Sequence, residues 1–483
     1  MVHKRKMLRW SATSQFLVAA VALFAVFRCC GCSTPICNVH DDYYEDLHDD
    51  GPLYLSPMIR DGRIDEARAA CKVNLNNNTA AVDSCAGYLT VDEAHDSNLF
   101  LWFFPAASGN PDAPVVLWLQ GGPGASSLYA VFNEHGPFTV NEDGDLLPHR
   151  HTWTATHSML YVDNPVGVGY SFTGDDAGYT TNQTAIAENL YAALVQFFEL
   201  YPEYRDNDFY VTGESYAGKY VPSVSYAIHQ NNAGARVKIN LKGLAIGNGF
   251  IDPVNQMVLP EFLYERGLID ITKRLQMEQM DNETLELIAA GNCSGAFDAM
   301  YMSQYSTLDH MQYIENVMWR NDPIPYKAGY WYQYVQLTSV RAALHVGRCP
   351  WSGFEEVLER MKCDIPLSVA PRLSALLETG QYHVLLYSGK LDANVPYQGS
   401  VNVAKALRWS GAERFRNANS TAWMVPVRDC QKRCNTTESA GYATTYGPLT
   451  VLLIRNAGHM VPYDQPMLAH DMIDRFTSGK QFD

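Results

Sequence analysis

The sequence predicts an α/β fold: a mostly parallel sheet covered by helices, with a helical insertion late in the chain. β-rich apolar runs alternate with helical ones over most of its length, as such a sheet requires. One strand-like run, Asp208–Thr212, leads into Gly213-Glu214-Ser215-Tyr216-Ala217-Gly218 and then into helix-like sequence. This is the setting of a nucleophile elbow, a sharp strand-to-helix turn that lifts one hydroxyl out of a sheet.

Residues 1–32 read as a secretory signal peptide: His3, Lys4, Arg5, Lys6 and Arg9 precede an apolar run from Phe16 to Phe27, followed by Gly31 and Ser33. The run holds 12 residues, short of the roughly 20 that span a bilayer, so an uncleaved anchor is the lesser alternative. The first part of the core, 33–250, carries strand-like runs at Leu99–Phe104, Val115–Gln120 and Ser158–Asp163. Leu190, Leu194, Phe197 and Phe198 sit at helical spacing within Thr184–Phe198, a core-facing helix. The elbow follows, then a helix through about Gln230 and a strand at Lys238–Gly247. From 251 to 371 the rhythm changes to long, Met- and Tyr-rich helical sequence, read as an inserted cap; an independent domain is the alternative. Residues 372–483 complete the core with runs at Val384–Ser388 and Leu449–Arg455.

At 483 residues, with 47% hydrophobic and 12% aromatic content, the chain can bury a large core. Its formal charge of −16 leaves no basic field for nucleic acid. Six Asn-x-Ser/Thr sequons, at Asn77, Asn182, Asn282, Asn292, Asn419 and Asn435, support passage through the secretory pathway, lysosomal or secreted. Beyond the leader lie eight cysteines, Cys37, Cys71, Cys85, Cys293, Cys349, Cys363, Cys430 and Cys434, an even set that points to disulfides. Cys71 with Cys85 and Cys430 with Cys434 are candidate local loops. The Cys430 pair is Cys-x-x-x-Cys rather than the redox spacing, and no His-Glu-x-x-His occurs, so no metal site and no cofactor is expected, and no stable membrane insertion once the leader is removed.

A serine hydroxyl is a weak nucleophile and needs a histidine base oriented by a carboxylate. Asp392, in Tyr387-Ser388-Gly389-Lys390-Leu391-Asp392, follows one late strand, and His459, in Asn456-Ala457-Gly458-His459, follows the next. Each alone reads as an ordinary loop residue. With Ser215 they stand at three strand ends in the order Ser, Asp, His of α/β hydrolases. Upstream, Gln120-Gly121-Gly122-Pro123-Gly124 follows another strand, where an unhindered backbone N–H can meet a developing oxyanion. Gly213, Gly218 and Lys219 also match the spacing of a phosphate-binding loop, but Tyr220 stands where that motif needs Ser or Thr for magnesium.

Through the blocks at 118–127, 213–218, 387–396 and 456–462 the chain resembles the serine carboxypeptidase family over nearly all of its mature length, and most nearly the vitellogenic carboxypeptidase-like branch. The resemblance implies an α/β-hydrolase fold with a helical cap and removal of the last residue from peptides and proteins at acidic pH. It makes Ser215 the nucleophile, His459 the base and then the acid, and Asp392 its orienting carboxylate. It assigns oxyanion donors to Gly122 and Tyr216, and binding of the substrate's terminal carboxylate to Gln120, Gly121, Glu134 and Glu214. Two adjacent carboxyls can receive a carboxylate only while they retain a proton. Three positions depart from the family: Gln120 replaces the commoner Asn, Ala125 a cysteine, and Lys390 an acidic residue. Peptide and protein C-termini are the expected partners, and a homodimer is left open. An acyltransferase or esterase using the same triad, or a non-catalytic binding protein, are the competing readings.

Overall fold

The computed structural model describes residues 51–75, 82–305, 314–319, 329–426 and 437–483. The leader segment, Cys37, Asn77, Cys430, Cys434 and Asn435 lie outside them.

The described strands, in chain order, are β1 (Cys85–Asp92), β2 (Ser97–Phe104), β3 (Val115–Leu119), β4 (Phe138–Val140), β5 (Leu146–Pro148), β6 (Ser158–Val162), β7 (Phe209–Glu214), β8 (Leu241–Gly247), β9 (His383–Gly389), β10 (Ser420–Pro426), β11 (Thr437–Tyr446) and β12 (Leu449–Ile454). β4 and β5 form a small hairpin, and the others join one sheet in the order β1-β2-β6-β3-β7-β8-β9-β12-β11-β10. From β6 across to β12 every pairing is parallel, while β1, β2, β11 and β10 pair antiparallel on the two flanks. The carboxyl ends of β3, β7, β8, β9 and β12 therefore share one edge of the sheet. In doubly wound sheets that edge is where ligands bind.

The central strands are apolar on both faces because both faces are covered. In β3, Val115, Leu117 and Leu119 enter one core cluster, and Val116 and Trp118 enter the opposite one, as the two-residue period of a strand dictates. The first face is covered by the helices Gln183–Leu200 and Ala217–Asn232, through Leu190, Leu194, Phe197, Val221, Val224 and Ile228. Asn182 starts the former helix by accepting hydrogen bonds from Thr184 N and Ala185 N. The second face is covered by Pro466–Thr477, through Leu468, Met472 and Ile473.

Between β8 and β9 the described residues form helices only, among them Leu259–Glu265, Ile271–Ala289, Cys293–Tyr305 and Phe354–Met361. Phe262, Leu263, Ile269 and Met277 of this insertion pack with Ala393, the neighbour of Asp392. The helix Ala370–Glu378 returns to the first core face through Leu373, Leu376 and Leu377. Disulfides join Cys71 to Cys85, as expected, and Cys293 to Cys363 within the insertion; Cys349 is also disulfide-bonded. The sequon residues Asn182, Asn282, Asn292 and Asn419 are all exposed. No helix among the described residues is long and apolar enough to cross a membrane.

Candidate active site

Ser215 follows the last residue of β7 and adopts a φ of +60°, which a non-glycine residue holds only where its surroundings enforce it. The enforcement is backbone hydrogen bonding. Ser215 N donates to Gly247 O of β8 at 2.9 Å, and Ser215 O accepts from Gly218 N and Phe250 N, each at 2.9 Å. The two glycines of the elbow make room for this turn. A Cβ on Gly213 would stand 2.4 Å from Leu119 O and 2.7 Å from Ala217 Cβ, and one on Gly218 would stand 2.7 Å from Phe250 N. Close approach thus falls on Gly218, one place beyond the last glycine of the generic elbow pattern, and Ala217 is tolerated. Lys219 is buried, with its ammonium against the backbone carbonyls of Leu367 and Asp364, so it is not presented to a phosphate.

Asp392 lies in the loop after β9 and is fully buried. It accepts from His459 Nδ1 at 2.8 Å, Asn248 Nδ2 at 2.6 Å, Asn394 N at 2.7 Å and Val395 N at 3.2 Å. Four donors thus converge on one carboxylate, and the bond from Nδ1 fixes the imidazole as the Nδ1–H tautomer. His459 itself follows β12, and its backbone N donates to Glu315 O of the helical insertion at 2.6 Å. Burial works to depress the imidazole's pKa, but the charge and hydrogen bond of Asp392, with Glu214 and Glu315 further off, raise it to about 9. Glu214's share of that rise exists only while Glu214 is ionised.

The Gly-rich loop after β3 lies directly over the elbow. A Cβ on Gly121 would fall 2.5 Å from Ser215 Cβ and 2.7 Å from Tyr216 N, so only glycine brings this loop so close to the hydroxyl. Gly122 holds a φ of +113°. Gln120, Gly121, Gly122, Glu214, Ser215, Tyr216 and His459 line one cavity of about 480 Å³, whose far wall is built by Phe297, Met300 and Ile314 of the insertion. Gly121→Ala should lower kcat by about 10²-fold, the scale expected when reacting groups shift by ~1 Å. Steady-state kinetics beside a thermal melt would separate this from unfolding, and unchanged kcat would contradict the close approach.

Gln120 is held at both ends of its amide: Trp118 Nε1 donates to Oε1 at 2.8 Å, and Nε2 donates to Glu214 Oε1 at 2.7 Å. The longer side chain in place of Asn therefore still reaches the carboxyl. Glu134 caps the short helix Leu128–Asn133 and is buried, and it is not among the residues lining the cavity. Both Glu134 oxygens and Glu214 Oε2 are buried without a partner in good hydrogen-bond geometry, although the two carboxyls lie close enough to act on each other's titration. Burial pushes Glu134 up to about 8, against hydrogen bonding from Glu214 and Gln120. Burial, and next the charge of Glu134, holds Glu214 well above the ordinary carboxyl range.

Lys390 places its ammonium 5.6 Å from the ring centroid of Tyr442. Sequence reasoning missed Asn248, Asn394, Glu315 and Asp364. Asp364 closes the insertion onto the elbow, accepting from Tyr216 OH at 2.9 Å and from Gln183 N and Nε2 at 3.1 and 2.6 Å. The Gly247-Asn248-Gly249 turn after a predicted strand was the available signal for Asn248. For the others there was none, since each lies in a segment whose partner is set by the fold.

The family model "Serine carboxypeptidase" matches residues 75–479. The venom serine carboxypeptidase of Apis mellifera is 44% identical over 442 residues, covering 89% of this chain and 92% of the relative. The human "Probable serine carboxypeptidase CPVL" is 40% identical, covering 89% and 90%, and the vitellogenic carboxypeptidase of Aedes aegypti is 39% identical, covering 88% and 90%. Among solved structures, the prohormone-processing carboxypeptidase Kex1(Δ)p of Saccharomyces cerevisiae superposes with a TM-score of 0.73 at 23% identity, covering 85% of this chain and 96% of that one. The fold is that of an α/β hydrolase.

Proposed function

Since the chain belongs to the serine carboxypeptidase family and is a hydrolase of that class, we propose that it releases C-terminal residues from peptides through Ser215, His459 and Asp392. Ser215 Oγ adds to the carbonyl carbon of the last peptide bond while His459 Nε2 takes its proton. The imidazolium then returns that proton to the leaving amine nitrogen, and the C–N bond breaks. Water, deprotonated by the same nitrogen, hydrolyses the ester left on Ser215. Backbone N–H groups of Gly122 and Tyr216 receive the oxyanion, and Asp392 stabilises the imidazolium.

The observation that carries the carboxypeptidase assignment, as against any other use of the triad, is the Gln120–Glu214 pair on the wall beside Ser215. Their groups suit a substrate carboxylate: an amide nitrogen, and a carboxyl that burial keeps protonated and able to donate. The charge of Glu134 supports that protonation. The helical insertion, which supplies part of the cavity lining, acts as a cap over the strand ends. Disulfides and exposed sequons fit an oxidising secretory route with removal of the leader, to lysosome or exterior.

Mass spectrometry of a peptide incubated with the purified protein should show loss of residues from the C-terminus with addition of water, and a mature amino terminus beyond the apolar run. Internal cleavage, or transfer of the acyl group to another acceptor, would replace this reading with an endopeptidase or acyltransferase.

A further inference from the structure

His459 presents two ring nitrogens, and the triad accounts for only one of them in the resting site. Nδ1 donates to Asp392, while Nε2, the nitrogen that must take the Ser215 proton, lies 3.3 Å from Asn394 Nδ2. Gln304, in the helix Cys293–Tyr305 of the insertion, donates from Nε2 to Asn394 Oδ1 at 2.5 Å. That bond orients the Asn394 amide with its N–H₂ end toward the imidazole. In the neutral imidazole the tautomer fixed by Asp392 leaves Nε2 as an acceptor, so there Asn394 donates to the lone pair that general-base catalysis needs.

We propose that Asn394, aimed by Gln304, caps the reacting nitrogen of His459 in the resting enzyme, so that acylation of Ser215 begins with the breaking of this contact. The inference rests on the reading of His459 as the base. Its structural logic is local. Gln304, Asn394 and His459 line the same cavity, so a substrate entering it meets the relay directly. The relay also joins the base to the insertion, whose neighbouring segment already holds the loop through the Glu315 O contact with His459 N and through Ala393 N donating to Ile314 O at 2.9 Å. Asn394 is thus a positioning residue. It keeps Nε2 from other partners and makes the base answer to the cap.

The charged groups acting on His459 are Asp392 from the β9 loop, Glu214 from the elbow and Glu315 from the insertion, and a side-chain change at Asn394 leaves all three in place. The backbone N of residue 394, which donates to Asp392, also remains. A donor to Nε2 holds the imidazole in its neutral form, so its loss makes protonation easier.

The test is the rate of fluorophosphonate labelling of the full chain across pH, for wild type, Asn394→Leu and Gln304→Leu. Asn394→Leu should label about two- to tenfold faster on the plateau, the worth of one neutral hydrogen bond. Its rising limb should move to higher pH by at most about one unit. Gln304→Leu, remote from Asp392, should move both in the same direction and by less, and it carries the test if Asn394→Leu does not fold. Labelling of Ser215 in wild type with slower or unchanged labelling and an unmoved limb in the folded variants would overturn the proposal while leaving the base assignment intact. Wild-type protein that is labelled elsewhere, or not at all, would overturn both.

Discussion

Ser215→Ala is expected to lower peptide trimming by about 10⁶-fold in kcat and to end fluorophosphonate labelling, because Ser215 is the proposed nucleophile that forms the acyl-enzyme. His459→Ala should cost about as much, since nucleophile and base act as one unit and removal of either leaves only binding and oxyanion stabilisation. Asp392→Asn should cost less, about 10⁴-fold. An amide there would keep acceptor capacity for Asn248 Nδ2 and the two backbone donors, but it would no longer stabilise the imidazolium or hold the Nδ1–H tautomer. Active-site titration with a fluorophosphonate, followed by steady-state kinetics on the titrated protein, measures all three. Full labelling of Ser215→Ala would remove Ser215 from the mechanism.

Amidation of a peptide's C-terminus should reduce kcat/KM by about 10³-fold at acidic and neutral pH, the loss of two charge-assisted hydrogen bonds at ~1.5–3 kcal/mol each. The pH dependence has a definite sign. Burial raises Glu134 to about 8 and holds Glu214 well above the ordinary range, so below that region the pair keeps its protons and can donate to the substrate carboxylate. As pH rises through about 8 the pair ionises and repels the carboxylate, and trimming of the free peptide falls while cleavage of the amide or of a small ester does not. His459 must be neutral to act, and ionised Glu214 raises its pKa, so Glu214 sets where the rising limb of ester hydrolysis lies. Glu214→Gln should therefore lower acid-side trimming by about tenfold, flatten its alkaline fall, and move the rising limb of ester hydrolysis to lower pH. Parallel profiles for peptide, amidated peptide and ester decide this. Equal cleavage of peptide and amide at every pH would take the carboxylate-binding role away from Gln120 and Glu214.

The parts of the site legible in the sequence are those that the chain specifies locally. Ser215 could be located because a buried strand, a turn with Gly213 and Gly218, and a helix are consecutive, and close backbone approach there demands glycine. Asp392 and His459 followed from the ends of two apolar runs. The central parallel strands were legible because burial on both faces leaves continuous apolar runs. The flanks were less so: β11 is partly exposed and rich in Thr, Ser and Gly, and β1 opens on the small residues Cys85, Ala86 and Gly87.

By itself, then, the sequence determined the α/β class, the elbow, the chain order of the three proposed triad residues and the glycine loop above the elbow, because each depends on neighbours within a few positions. Only the tertiary structure decided which groups meet them: Asn248 from the β8 loop on Asp392, Glu315 against the backbone of His459, Asn394 at its Nε2 with Gln304 on Asn394, and buried Glu134 acting on the titration of Glu214. The reason is physical. A hydrogen bond or a raised pKa depends on which segments the sheet order and the helical insertion bring within about 3 Å, and on how much water they exclude, neither of which is encoded at the residue's own position in the chain.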